Sequence, residues 1–267
     1  SLDEQGATWQ EVRFKLPDLS IVSASDAAVA ERLGGVLRAC RAANPAFLAE
    51  SQTLEVTTRT DFPRSWGLGT SSTLVAAVAR WAGVDPYPVL AATFGGSGYD
   101  LACAFADGPL LYSNAGRTEG LPFPGLPGDQ RACRVPFEPP FVEQLYFVFL
   151  GQKQDSRLGI QRYRALNQPK QALLDRVSEL ALQTLEVTDF QIFTRILLEH
   201  EQLVSTALDL PRAQDLHFAD FPGVVKSLGA WGGDFVLAAS PLDAAATRAY
   251  FAEKGHSVCI PYGEMVL

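Results

Sequence analysis

Three glycine-rich segments fix where the backbone of this chain must turn, and they constrain its fold more than any other feature. They lie at residues 67–69, 95–98 and 229–233. Glycine adopts positive φ at little steric cost, so such segments mark tight turns or places where a ligand approaches the backbone. The first separates a strand pattern from a helix pattern, the second separates two helix patterns, and the third separates two strand patterns. The sequence therefore predicts an α+β fold.

The composition is that of a folded protein with a sizeable core. Hydrophobic residues make up 47% of the 267 positions and charged residues 19%, which excludes a disordered chain. The formal net charge is −8, and no run of lysine or arginine occurs. Because contacts to nucleic-acid phosphates need clustered positive charge, we expect no nucleic-acid partner.

Cysteine usage and hydropathy predict a cytoplasmic location. The cysteines are far apart and form no Cys-x-x-Cys pair, which argues against a zinc site and for reduced thiols. No apolar run reaches the ~18 residues that span a membrane, and no charged-then-apolar leader opens the chain. We therefore expect no membrane partner. The sequence leaves a homodimer open.

Periodicity and turn residues predict the order of the secondary structure. Apolar alternation or continuous apolar sequence predicts strands at residues 11–16, 51–60, 109–112, 145–150, 226–228, 235–239 and 257–261. Apolar stripes with end signals predict helices at residues 26–40, 73–82, 86–94, 101–106, 156–166, 171–185, 188–208 and 242–254. Residues 116–129, rich in proline and glycine, are predicted to form a loop. The prolines of residues 136–140 predict a joint between domains.

The first glycine segment has the composition of a phosphate-binding loop. It leaves a strand pattern and enters a helix pattern, where unpaired N–H groups and the helix dipole favour an anion. Hydroxyl side chains follow the glycines and suit a magnesium-bound triphosphate. The residues are Gly67, Leu68, Gly69, Thr70, Ser71 and Ser72. An ordinary loop with a serine or threonine N-cap is the alternative, since no Gly-x-x-x-x-Gly-Lys-Ser/Thr motif occurs.

The second glycine segment places Asp100 at a predicted helix start. A carboxylate in this position can take the proton of a substrate hydroxyl that attacks phosphorus. The alternative is an aspartate that only caps its helix.

The third glycine segment joins two strand patterns and lets this turn press against another backbone. A tight β-turn is the alternative. The segment consists of Gly229, Ala230, Trp231, Gly232 and Gly233, and Asp234 follows it.

Single charged residues give weaker signals. Lys153 and Arg157 follow a predicted buried strand and can reach an anionic substrate, or they can form a solvated turn. His200 has no second histidine four residues away, so we interpret it as structural rather than as a metal ligand.

In this order, the three glycine segments resemble those of the GHMP kinases, the superfamily of galactokinase, homoserine kinase, mevalonate kinase and phosphomevalonate kinase. Residues 63–72 resemble its Pro-x-x-x-Gly-Leu-Gly-Ser-Ser-Ala phosphate loop, with Thr70 in place of the first serine. Residues 97–100 resemble the segment that holds the catalytic aspartate of mevalonate kinases, and residues 226–233 resemble the C-terminal glycine motif. A bacterial subgroup with a Gly-Tyr-Asp-Ile-Ala segment, here residues 98–102, is more similar still.

The resemblance implies the GHMP kinase two-domain architecture. A ribosomal protein S5 domain 2-like, ATP-binding domain would span residues 1–138, and a ferredoxin-like domain would span residues 139–267. The family's first motif, a Gly-Glu segment near the N-terminus, has no counterpart in this chain. We therefore expect that an N-terminal segment is missing before Ser1.

The resemblance also implies an activity, with ATP and Mg²⁺ as cofactors and a small molecule as partner. The chain would transfer the γ-phosphate of ATP to a hydroxyl or phosphate of a metabolite, with mevalonate or phosphomevalonate favoured. Asp100 would be catalytic, and Ser71 would bind magnesium. Lys153, Ser156 and Arg157 would hold an anionic substrate. The alternatives are a non-catalytic nucleotide- or metabolite-binding relative and an ATP-dependent diphosphomevalonate decarboxylase.

Overall fold

The computed structural model describes residues 1–50, 53–113, 132–151, 156–166, 171–229, 231 and 234–266. These residues form a mixture of helices and strands, so the predicted α+β class is confirmed. The helices are α1 (Ala27–Ala43), α2 (Thr70–Ala82), α3 (Pro86–Thr93), α4 (Tyr99–Phe105), α5 (Ser156–Ala165), α6 (Gln171–Glu186), α7 (Phe190–Leu208), α8 (Ala213–His217), α9 (Ala244–Glu253) and α10 (Tyr262–Met265). The strands are β1 (Val12–Lys15), β2 (Ser20–Ala24), β3 (Leu110–Tyr112), β4 (Ala132–Arg134), β5 (Leu145–Phe149), β6 (Val224–Ser227), β7 (Phe235–Ala239) and β8 (Cys259–Pro261). The loop predicted at residues 116–129 lies outside the described residues.

The chain divides into two compact units. Unit 1 consists of Ser1–Arg64 and Leu68–Arg134, and unit 2 consists of Ser65–Gly67 and Val135–Leu267. The tripeptide at residues 65–67 is therefore part of unit 2, whereas its neighbours in the chain are part of unit 1.

Helices α1, α2 and α3 enclose the core of unit 1. Asp26 starts α1 by accepting hydrogen bonds from the N–H groups of Ala28 and Val29. Asp85 starts α3 in the same way, by accepting from the N–H group of Tyr87. These caps satisfy donors that have no partner within the helix. Small and aliphatic residues fill the space between the helices, among them Val36, Leu37, Cys40, Val75, Ala79, Val89 and Leu90.

The strands of unit 1 form two antiparallel pairs, β1 with β2 and β3 with β4. The strand predicted at residues 51–60 is wrong for the described part of that range, 53–60, where Arg59 makes an isolated bridge to Leu2. Its alternating residues Leu54 and Val56 are 48% and 59% exposed. Alternation produces a strand only where a neighbouring strand pairs with the backbone, and no described strand runs beside this segment.

An antiparallel sheet forms the centre of unit 2, and its described strands lie in the order β6-β7-β5-β8. Strand β5 is central because its sequence is apolar throughout, as expected for a strand covered on both faces. Leu145 and Tyr146 point to opposite faces, since neighbouring side chains alternate along a strand. Both side chains are at most 2% exposed.

Helices cover both faces of this sheet. On the face of Leu145, α7 contributes Phe193 and Leu197. On the face of Tyr146, α9 contributes Phe251. Burial on both sides fixes the sheet, and with it the turn that joins β6 to β7.

No described helix has the length and apolar character needed to cross a bilayer. The longest of them, α7, carries charged residues in its sequence, including Arg195 and Glu199.

Candidate functional site

The first glycine segment leads directly into α2. Gly69 is the N-cap of this helix and has left-handed backbone angles, φ 70° and ψ 28°. Its carbonyl accepts from the N–H groups of Ser72 and Thr73 at 3.0 and 3.1 Å. A glycine cap has no side chain that could accept from the N–H groups of Thr70 and Ser71. The backbone at the start of α2 therefore offers these two donors to other acceptors.

Packing fixes the direction of α2. Val75 and Ala79 on its inner face are 0% exposed, so the helix is held in the core of unit 1. Thr70 and Ser71 are exposed at its start. The fold thus presents hydroxyl groups at the end of the helix where its dipole is positive.

Asp100 lies beside the same glycine, within unit 1. It is in the first turn of α4, whose N-cap Gly98 is also left-handed, with φ 85°. A Cβ atom built on Gly69 would be 3.7 Å from Asp100 Cβ and 3.9 Å from Asp100 Oδ2. Two residues that the sequence predicted as parts of one site are therefore neighbours.

Gly98 fixes the turn that precedes Asp100. A Cβ atom at Gly98 would be 2.8 Å from Tyr87 Cε1 and 3.1 Å from the Tyr112 hydroxyl, so a larger residue does not fit. That hydroxyl donates to the carbonyl of Ser97. The position of Asp100 is thus set by tightly packed tyrosines.

Desolvation changes the acid–base properties around Asp100. The protein atoms near this carboxyl raise its pKa above the ordinary value. The side chain keeps contact with solvent, so we expect a smaller rise than for a fully buried aspartate. Burial, followed by the charges of Cys103 and Asp100, raises the pKa of Tyr99 to about 12, although 52% of this residue is exposed. A carboxylate with a raised pKa is a stronger base than an ordinary aspartate.

The third glycine segment is described in part. Gly229 has φ 59°, and Trp231 has φ 63°, which is rare for a bulky residue. The indole of Trp231 is buried, at 7% exposure, and this burial offsets the backbone strain. Three predicted site residues lie outside the described residues: Ala230, Gly232 and Gly233.

Asp234 follows this turn and lies against the first glycine segment, within unit 2. A Cβ atom built on Gly67 would be 2.0 Å from Asp234 Oδ2 and 2.2 Å from its Cγ, so only glycine fits there. The Trp66 ring lies 6.2 Å from the Phe149 ring and 5.5 Å from the Phe235 ring, measured between centroids. A carboxylate and two aromatic rings therefore hold the tripeptide at residues 65–67 in unit 2.

The residues predicted to hold an anionic substrate are less well placed. Lys153 lies outside the described residues. Ser156 and Arg157 are in the first turn of α5, and only their backbone is described.

A buried charged cluster in unit 2 was not predicted from the sequence. Glu201 on α7 is 1% exposed, and Lys226 Nζ on β6 lies 3.9 Å from its Oε1. Lys226 Nζ also donates to the carbonyl of Ser227 at 3.0 Å. Burial, and then the charge of Lys226, lowers the pKa of His200 to about 4, so this imidazole is neutral near pH 7. Glu201 follows Phe193 and Leu197 at four-residue spacing, a signal that would have placed it on the inner face of α7.

Magnesium places modest demands on a protein. Among the described residues, no group of three or more His, Cys, Asp or Glu side chains is arranged to hold a metal ion. Magnesium commonly keeps several waters and binds substrate phosphates, so it needs only one or two protein oxygens. The exposed Ser71 hydroxyl, at the start of α2 and in the same unit as Asp100, fits such a requirement.

Comparison with known proteins gives a likeness of fold. No protein-family model matches the chain, and no curated protein does. Among solved structures, the Lin0012 protein from Listeria innocua is similar with a TM-score of 0.63 and 14% sequence identity. The alignment covers 94% of this chain and 86% of that protein. At this identity the two proteins share a fold, and the activity has to be argued from the residues of the site.

Proposed function

We propose that this chain is an ATP-dependent small-molecule kinase of the GHMP type. The observation that carries the proposal is the position of Asp100 beside Gly69, at the start of α2. Transfer of a phosphoryl group to a hydroxyl needs an anion site and a nearby group that orients the nucleophile or takes its proton. These two parts occur together in unit 1.

The start of α2 is suited to the phosphates. The Thr70 and Ser71 N–H groups follow a cap that has no side chain, and the helix dipole adds positive potential at the same end. The net charge of −8 does not oppose this, because backbone dipoles act locally.

Asp100 is suited to the acceptor hydroxyl. In the proposed reaction the hydroxyl oxygen forms a bond to the γ-phosphorus, the bond from that phosphorus to the β–γ bridging oxygen breaks, and ADP leaves. Asp100 takes the hydroxyl proton. Desolvation raises the pKa of this carboxyl, which strengthens it as a base.

Ser71 is the residue that would hold magnesium, with its hydroxyl oxygen as one ligand among phosphate oxygens and waters. When bound, magnesium neutralises phosphate charge and orients the γ-phosphoryl group. Thr70 and Ser72 flank Ser71, and Ser72 is half-buried.

The strand order of unit 2 supports the two-domain architecture that we propose. Its described elements follow the order strand, helices, two strands, helix, strand, and β5 lies between β7 and β8. This is the arrangement of the ferredoxin-like split βαβ fold, with extra helices after β5. The S5 domain 2-like assignment of residues 1–138 and the ferredoxin-like assignment of residues 139–267 remain predictions.

The proposed acceptor is mevalonate or a phosphorylated relative. Its basis is the resemblance of residues 97–102 to mevalonate kinases. Lys153 and Arg157, placed after β5 by sequence, are the cations proposed to contact the acceptor's carboxylate or phosphate.

Replacement of Asp100 by asparagine tests the proposed role of this carboxylate. We expect Asp100→Asn to lower kcat by at least about 100-fold, because asparagine cannot accept the proton. The Kd for Mg·ATP should stay within about twofold, since the start of α2 is unchanged. Asp107→Asn is the matched control in the same unit, because Asp107 is an exposed aspartate paired with Arg134 at the surface. The measurement is ADP release with mevalonate, phosphomevalonate, homoserine and simple sugars.

The same assay separates the alternatives. ATP binding without turnover of any acceptor, in the unchanged protein, would support a non-catalytic binding relative and contradict the kinase. Release of carbon dioxide from diphosphomevalonate together with ADP would support the decarboxylase. Equal turnover by the unchanged protein and Asp100→Asn would remove Asp100 from the mechanism.

A further inference from the structure

The Asp234 carboxylate occupies the space beside the backbone of Gly67. The position of a Cβ atom on Gly67 is 2.0, 2.2 and 2.7 Å from Asp234 Oδ2, Cγ and Oδ1. No side chain at residue 67 can therefore stand between this carboxylate and the loop backbone. Gly67 is two residues before Gly69, the cap of α2, so the carboxylate lies at the entrance of the proposed phosphate loop.

The backbone of unit 2 holds Asp234 in this position. Its carbonyl accepts from the N–H group of Leu150 at 2.9 Å, at the end of β5. The next residue, Phe235, begins β7 and is 5% exposed. Before it, Trp231 is buried in the turn. The carboxylate is thus attached to the sheet and is not carried on a freely moving surface loop.

A fixed negative charge at this place opposes a second anion nearby. Opposite the attraction of the α2 dipole, an aspartate near neutral pH repels phosphate oxygens over distances of up to about a Debye length, ~10 Å at 0.1 M salt. The repulsion depends on the charge of the ligand. A nucleoside triphosphate with a divalent cation bound carries two fewer negative charges than the metal-free form.

We propose that Asp234 is a specificity-determining residue of the nucleotide site, which disfavours metal-free nucleoside triphosphate relative to its magnesium complex. This inference rests on the proposed kinase function. Asp234 acts by charge from the entrance of the loop, and it takes no part in the transfer itself. A chain with this residue would bind metal-free ATP less tightly and so would hold fewer unproductive complexes.

Replacement of Asp234 by asparagine removes the charge and keeps the shape. We expect Asp234→Asn to bind metal-free ATP about tenfold more tightly than the unchanged protein, as measured by calorimetry with EDTA present. The Kd for Mg·ATP should change by less than about twofold. Glu253→Gln is the matched control, because Glu253 is an exposed residue at the end of α9 in the same unit. It removes one negative charge at a distance in sequence from both glycine segments and should leave both constants unchanged.

Salt provides a second measurement that needs no variant. In the unchanged protein, the ratio of the metal-free Kd to the Mg·ATP Kd should fall as salt rises from about 20 to about 300 mM, because screening weakens repulsion between exposed charges. The Asp234→Asn protein should show a smaller fall.

The outcomes distinguish this inference from the function beneath it. If Asp234→Asn weakens the binding of both forms equally, Asp234 only positions the loop, and the inference is overturned while the kinase proposal stands. The same holds if the control variant reproduces the effect. If the unchanged protein binds neither form of ATP, the kinase proposal and this inference both fail.

Discussion

Two glycines with nearly the same backbone angle differ in what surrounds them. Gly67 has φ 68° and Gly83 has φ 66°. A Cβ atom at Gly83 would have no heavy atom within 4 Å, whereas one at Gly67 would collide with Asp234. Positive φ alone strains any other residue at both positions. The pair therefore separates the cost of the backbone angle from the cost of the collision.

Replacement of each glycine by alanine measures the two costs. We expect Gly83→Ala to lower the free energy of unfolding by about 1 kcal/mol, the cost of placing alanine in the left-handed region. Gly67→Ala should lower it by about 2 kcal/mol more, because the carboxylate has to move away from a fixed backbone. Urea denaturation of both variants checks the difference. Equal losses would mean that Asp234 swings aside at no cost.

Longer elements were predicted well from the sequence because their periodicity extends over several turns or strand residues. Helix α7 was predicted at residues 188–208 and spans Phe190–Leu208, and β5 was predicted at residues 145–150 and spans Leu145–Phe149. Short elements such as α8 and β4 hold too few residues to show a period. The strand at residues 51–60 failed for another reason, since alternation reports a pattern of polarity and not the presence of a neighbouring strand.

The candidate site was predicted unevenly for a related reason. Gly69 and Asp100 lie in segments whose glycines reveal them. The contact of Asp234 with Gly67 joins residues far apart in sequence, and no local pattern encodes such a pair. The buried position of Glu201 was accessible from the spacing of α7, but charge is usually taken as a mark of the exposed face.

The contact between α7 and β6 contains the buried Glu201–Lys226 pair, to which His200 and Arg212 also contribute charge or polarity. Replacing Lys226 by methionine leaves the Glu201 carboxylate buried without its counter-charge. We expect Lys226→Met to lower the free energy of unfolding near pH 7 by about 3 kcal/mol. The double variant with Glu201→Gln should recover most of this loss.

The loss in Lys226→Met should depend on pH in a definite direction. Burial raises the pKa of Glu201 above its value in an unfolded chain. The folded protein therefore binds the proton more tightly than the unfolded chain, and acidification favours the folded state of this group. The destabilisation should shrink as pH falls from about 8 to about 5, in urea denaturation at each pH. A loss that is constant with pH would contradict a buried, uncompensated carboxylate.

At the scale of the whole molecule, the chain passes between its two units more often than a simple division suggests. The tripeptide at residues 65–67 counts with unit 2 because Trp66 packs near Phe149 and Phe235. The stability of unit 2 should therefore depend on a residue that lies within the sequence of unit 1.

Removal of the Trp66 ring tests this dependence. We expect Trp66→Ala to lower hydrogen-exchange protection in β5 and β7 and to leave that of α1 unchanged. The expected cost is about 1–3 kcal/mol, less than for a fully buried tryptophan, because Trp66 is partly exposed. Trp81→Ala is the control, since Trp81 packs on Phe47 in unit 1. Loss of protection confined to α2 would contradict the assignment of Trp66 to unit 2.

The same tripeptide limits how this protein can be recombined with its relatives. A chimera that exchanges only residues 135–267 would bring new neighbours to Trp66 and Gly67 while keeping the old tripeptide. The replacement for Phe149 and Phe235 would then face an indole selected for other rings, and any side chain larger than hydrogen at residue 67 would meet the incoming Asp234. Crossover points that respect the fold have to move Ser65, Trp66 and Gly67 together with the second half of the chain. The unit of inheritance in this fold is therefore discontinuous in the gene.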